Sequence, residues 1–187
     1  MITELERYNF FTSRFYSAVD IICKNPPHVI LISDLHGATQ SVIDPTTEAI
    51  QIIGRFRGGV NTVTHIASIR PDLECMSANE IDSWIQGASH IFNGWKIQLA
   101  QTSNIGERTL LQEAIGENSY LPYLDANGKP DPFLIANLYE KEQVKRLYTS
   151  TDLLCSAYQQ TDYFIFSHEE RLMPVSDNER MAIQHRL

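Results

Sequence analysis

Hydrophobic and polar positions change rhythm along the chain. Near the N-terminus they come as short continuous runs. Tyr8-Asn9-Phe10-Phe11-Thr12 is aromatic-rich and predicts a buried opening strand. His28-Val29-Ile30-Leu31-Ile32-Ser33-Asp34 is unbroken and β-branched, the pattern of a parallel strand covered on both faces. Asp44-Pro45 supplies a cap and a proline at a helix start, predicting a helix over 45–56 that turns Ala49, Ile50, Ile53 and Phe56 toward the sheet. Gly58-Gly59 stops it. Val60 to Ala67 then alternates apolar and polar residues, as a third strand does. Strand, helix and strand in this order predict a right-handed parallel crossover.

Beyond residue 72 the period becomes helical. Ser77-Ala78-Asn79-Glu80 is a capping box, and behind it Ile81, Trp84, Ile85, Ala88, Ile91, Phe92 and Trp95 form one apolar stripe, weakened at Gly87 and Gly94. Further helices are expected over 107–115, from Asp131-Pro132 through Leu134, Leu138 and Leu147, and over 151–159; 122–132 reads as a loop. Tyr163-Phe164-Ile165-Phe166 suggests a short strand, and Ser176-Asp177-Asn178-Glu179 caps a terminal helix. The reading is an α/β fold, a partial parallel sheet with flanking helices over 1–71, followed by a mainly helical region over 72–187.

Composition narrows the function classes. Fifteen Lys plus Arg stand against 23 Asp plus Glu in 187 residues, a net charge of -8, which argues against a free-standing nucleic-acid binder. Cys23, Cys75 and Cys155 are widely spaced, so neither a disulfide framework nor a cysteine zinc site is expected, and reduced thiols suit a cytoplasmic protein. The six histidines show no i, i+4 pairing, so no metal site is expected. Asp34-Leu35-His36 sits at a strand end but has no activated serine or cysteine motif to join it. No apolar run approaches the roughly 20 residues that span a bilayer.

The chemistry-bearing segment is Gln51-Ile52-Ile53-Gly54-Arg55-Phe56-Arg57. Arginines at i and i+2 cannot share a helical face, yet they can converge on an anion where a helix ends, and a guanidinium fork matches phosphate oxygens. Two solvated arginines favourable to the helix dipole are the plain alternative.

Gln51-x-x-Gly54-Arg55-x-Arg57 is similar to motif VI of the superfamily 2 DEAD/DEAH-type helicases, carried on their second RecA-like domain. Upstream, Thr12 to Asp20 resembles motif V, a threonine, five residues, glycine, one residue and aspartate, with Ala18 in the glycine place. The resemblance covers residues 8 to about 70. It implies that Thr12, with Ser13 beside it, contacts the nucleic-acid backbone. It also implies that Asp20 couples nucleotide state to strand contact, and that Gln51 and Gly54 order the nucleotide cleft. Arg55 and Arg57 would reach ATP phosphates across that cleft, one as an arginine finger. Such a finger stabilises charge on the transferring phosphoryl group and is worth about 10³–10⁵ in rate.

The sequence contains no Gly-x-x-x-x-Gly-Lys-Ser/Thr loop and no Asp-Glu box. ATP and Mg²⁺ would thus be held mainly by an N-terminal RecA-like domain upstream of Met1, in cis or in trans, and no ATP hydrolysis is expected from these residues alone. Nucleic acid, DNA or RNA, is the expected partner of the whole motor. An exposed sheet edge would also invite homo-oligomers. The alternative is a non-enzymatic protein-interaction module built on a degenerate RecA-like half.

Overall fold

The computed structural model describes residues 2, 5–12, 19–38 and 41–171. Two strands, β1 (His28–Ser33) and β2 (Thr62–Ala67), pair in parallel with His28 opposite Thr62 and Ser33 opposite Ala67. Between them runs α1 (Glu48–Gly54), so the strand–helix–strand order read from the hydrophobic pattern is present.

Period-2 alternation decides what each strand offers the core. Leu31 and Ser33 on β1 are buried on one face, with Val63, His65 and Ala67 of β2 half-buried. The helix lays Ala49, Ile52 and Ile53 onto the same cluster. The opposite face is bare: Ile30 and Ile32 are 60% exposed and Ile66 57%. The expectation of cover on both faces is therefore corrected. Among the described residues, helices cover one side only.

α1 is shorter than its sequence signal. Residues 45–47 are a turn, because the Asp44 carboxylate satisfies the Thr46 amide and both the Thr46 and Thr47 hydroxyls before any helix begins. Phe56 lies beyond the helix, and Gly59 takes a φ of +79°, the left-handed conformation that glycine adopts without a Cβ penalty.

Four further helices follow: α2 (Ala78–Gln101), α3 (Ile105–Gly116), α4 (Pro132–Leu147) and α5 (Thr151–Gln159), with a 3₁₀ turn at Leu121–Tyr123. The start of each of these four α-helices is side-chain capped, unlike that of α1. The capping box at Ser77 and Glu80 closes in both directions, Asn104 accepts from the Glu107 amide, Asp131 from Phe133 and Leu134, and Ser150 from Asp152. α2 is roughly 36 Å long at 1.5 Å per residue. Along its stripe Ile81 and Phe92 are buried and Trp84, Ile85, Ala88 and Trp95 half-buried, whereas Ile91 is 50% exposed. Tyr120 is buried edge-on to Trp84 and Phe92, with ring centroids 6.4 and 6.0 Å away. Between α3 and α4 the chain reverses over Asp125 to Lys129, with Gly128 at a φ of +73°.

One core spans both sides of residue 72. Tyr148, just past α4, and Leu154 and Tyr158 of α5 pack with Leu31, Leu35, Ala49, Ile52 and Ile53. The Arg70 amide donates to the Tyr148 carbonyl, the Met76 amide to the Glu142 carboxylate, and the Arg146 guanidinium to the Met76 carbonyl.

Two expected strands are corrected. Residues 8–12 are irregular and exposed, with Phe10 at 95%. Residues 163–166 are also irregular, although Phe164 and Phe166 pack onto the core beside Tyr158. Aromatic content favours a pleated surface, but a strand also needs a hydrogen-bonding neighbour, and neither segment has a ladder partner among the described residues. The terminal helix expected from Ser176 lies outside the described residues.

Candidate functional site

The two arginines owe their position to a pair of short backbone bridges. α1 ends at Gly54: the Arg55 and Phe56 amides still turn back to the Ile52 and Ile53 carbonyls, but the Ile21 segment takes the Arg55 carbonyl and the Arg57 amide. The Ile21 amide donates to the Arg55 carbonyl at 2.8 Å and the Arg57 amide donates to the Ile21 carbonyl at 3.0 Å, which sets Phe56 opposite Ile21 in a parallel bridge. On its other side Ile21 bridges Ile2, through the Ile2 amide on the Asp20 carbonyl and the Ile22 amide on the Ile2 carbonyl. Ile21 is 3% exposed and centres this small ladder.

That register brings Asp20 beside both guanidiniums. Arg57 Nη2 lies 2.9 Å from Asp20 Oδ1, and Arg55 Nη1 lies 3.6 Å from the same oxygen. A hydrogen bond from Arg57 holds the Asp20 carboxyl below the usual carboxylate range; desolvation opposes it, and the charges of Arg57 and then Arg55 add to the lowering. Among the described residues, two guanidiniums face one carboxylate here, a formal charge of +1 for these three groups, on a chain whose net charge is -8. The Arg57 side chain is 56% exposed, and its guanidinium carries five donors, more than one carboxylate oxygen can accept. An anion arriving here would meet the carbonyl end of α1, so its attraction must come from the arginines rather than from a helix dipole.

The other expected site residues are placed as follows. Gln51 is exposed on α1, and Gly54 closes that helix with open space where a Cβ would stand. Thr12 is exposed in the irregular N-terminal segment, and Ser13 lies outside the described residues. The structure thus assembles Asp20, Arg55 and Arg57 into one cluster. Ile21 and Phe56 position that cluster; the sequence pattern assigns Phe56 to the helix rather than to a bridge, and offers no reading of Ile21. Their signal, an apolar residue beside each charged one, was too short to register as a strand.

Truncating Ile21 tests the positioning. Ile21→Ala is expected to cost about 2–4 kcal/mol of stability, as buried isoleucine truncations do, and to move the Arg57 Nε–H resonance as the bridge loosens. A loss of stability with that resonance unmoved would show that the ladder does not place the arginines.

A second polar constellation lies in the core. Tyr148 Oη donates to the Ile43 carbonyl at 2.7 Å and accepts from the Ile43 amide at 2.8 Å. Its single proton being used, Ser33 Oγ, at 3.2 Å, must donate to it. His65 Nε2, 2.9 Å from Ser33 Oγ, then carries the ring proton, and Nδ1 accepts from Tyr158 Oη at 2.7 Å. Ser33 is 1% exposed, so this serine and histidine are structural rather than poised to attack a substrate.

Among the described residues no group of three or more His, Cys, Asp or Glu is placed to hold a metal ion, and no helix is long and apolar enough to cross a membrane. No family model, curated protein or solved structure matches the chain.

Proposed function

We propose that this chain contributes the arginine-bearing half of a nucleotide cleft in an ATP-dependent helicase or translocase of the superfamily 2 type. The sheet and its flanking helix would form part of a second RecA-like domain. Arg55 and Arg57 would reach the phosphates of ATP and Mg²⁺ held by an N-terminal RecA-like domain, with Thr12 and Ser13 toward the nucleic-acid backbone. The observation that carries the reading is the convergence of Asp20 with Arg55 and Arg57. The aspartate of one resembling segment and both arginines of the other, separated by more than thirty residues, meet at a single oxygen.

The cluster can be probed with inorganic pyrophosphate on the chain as it stands. Binding at millimolar concentration should shift backbone resonances of residues 55–59 and weaken with salt. Arg57→Ala or Arg55→Ala should weaken it about tenfold, the value of one charge-assisted hydrogen bond at a partly exposed position. Asp20→Asn, which removes the negative charge facing the two arginines, should tighten it several-fold. The chain alone should turn over no ATP. Pyrophosphate binding that ignores all three substitutions, or turnover abolished by Arg55→Ala, would sink the reading.

A second reading, a protein-interaction module built on a degenerate RecA-like half, is favoured by the bare apolar face of Ile30, Ile32 and Ile66. Immunoblotting the native gene product separates the two. A band far above 21.3 kDa supports a motor whose other half is in cis, and a band at this mass favours the module or a partner supplied in trans.

A further inference from the structure

The hydrogen-bond chain Tyr158–His65–Ser33–Tyr148–Ile43 joins β1, β2, the loop before α1, the C-cap of α4 and α5. We propose that it is an acid-sensitive latch, which holds the α4–α5 arm against the sheet while His65 is neutral and releases it when His65 takes a proton. This inference stands independently of the anion-binding reading.

The chain has one consistent direction. Tyr158 donates to His65, His65 to Ser33, Ser33 to Tyr148, and Tyr148 to the Ile43 carbonyl. Each hydroxyl has one proton and each is committed, so the only acceptor on the imidazole, Nδ1, is occupied by a donor. Protonating Nδ1 puts two donors face to face. Tyr158 must turn its hydroxyl proton away from His65, and the bond that joins α5 to β2 loses its present form.

The surroundings offer the imidazolium little in exchange. His65 meets the Ser33 hydroxyl from β1, the Tyr158 hydroxyl from α5 and the edges of the Tyr148 and Tyr158 rings, at centroid distances of 6.2 and 5.8 Å. The nearby carboxylates, Asp44 and Glu48, act on the Tyr148 phenol, and Asp44 also on that of Tyr158. Burial pushes His65 down to about 4 from an ordinary 6.5. The sign follows from that direction. The folded group prefers to be neutral, so the latch is fully closed above 6.5, loosens as the pH falls from 6.5 toward 4, and has no further to lose below that. The whole difference corresponds to about 300-fold in the closing equilibrium, of which about 30-fold is reached near pH 5.

Native-state hydrogen exchange reads the arm directly. With intrinsic exchange rates corrected, amides of α5 from Leu154 to Tyr158 should lose about 30-fold protection between neutral pH and pH 5, while α2 amides change much less. His65→Gln should abolish that selective loss. Tyr158→Phe, which leaves the imidazole but removes the donor to its neutral form, should make the loss level off at a higher pH and so be smaller at pH 4–5, and it serves as the test if His65→Gln does not fold. The proposal is overturned if α5 and α2 respond alike, if the selective loss persists in His65→Gln, or if the loss in Tyr158→Phe is as large and levels off at the same pH as in the parent.

Discussion

Tyr148→Ala should remove most of the stability of the chain. The side chain is fully buried where β1, α1 and α5 meet, and its hydroxyl satisfies the amide and carbonyl of Ile43 and the hydroxyl of Ser33. Emptying a buried aromatic site costs about 3–5 kcal/mol, and polar groups left without partners add about 1–3 kcal/mol each where water cannot reach them. Against a total of about 5–15 kcal/mol for a domain, little would remain. Tyr148→Phe separates the two parts: it keeps the ring and should cost about 1–3 kcal/mol through the hydroxyl alone. Urea midpoints of the two variants decide. Equal losses would mean that packing contributes little, and a neutral Tyr148→Phe would mean that the hydroxyl network does not hold the core.

Phe92→Ala is the second large effect, expected at about 3–5 kcal/mol. Phe92 is 4% exposed on α2 and meets Tyr120 edge-on. Both tryptophans, Trp84 and Trp95, lie on the same helix, so their fluorescence reports the α2 region while circular dichroism reports all elements. The links from Met76 to Glu142 and Arg146, and from Arg70 to Tyr148, tie α2 and α4 to the sheet end of the molecule. The two signals should therefore move together, with Phe92→Ala lowering one shared transition. Separate transitions, with only the fluorescence shifted, would show that α2 and α3 unfold as a unit of their own.

Local chemistry was legible in the sequence to very different depths. Ser77-x-x-Glu80 closes as a capping box, and Asp131-Pro132 opens α4, because a cap depends on residues only a few positions apart. β1 and β2 were legible because β-branched runs and alternation mark a strand whatever surrounds it. The segments 8–12 and 163–166 carry the same aromatic enrichment and are not strands, since pairing requires a neighbour that composition does not supply. The helix expected from residue 45 begins three residues later, at Glu48, because the Asp44 carboxylate satisfies a turn first.

The candidate site divides the same way. The sequence by itself determined that Arg55 and Arg57 stand where a helix ends, since glycines and periodicity are local. Their meeting with Asp20 depends on the Ile21–Phe56 bridge, a contact across 35 positions that tertiary structure alone decides. The same holds for the buried chain from Tyr158 to Ile43. Tyrosine, histidine and serine carry no pattern that announces it. The tautomer of His65 follows only once five groups, from residues 33 to 158, compete for a few protons in the core.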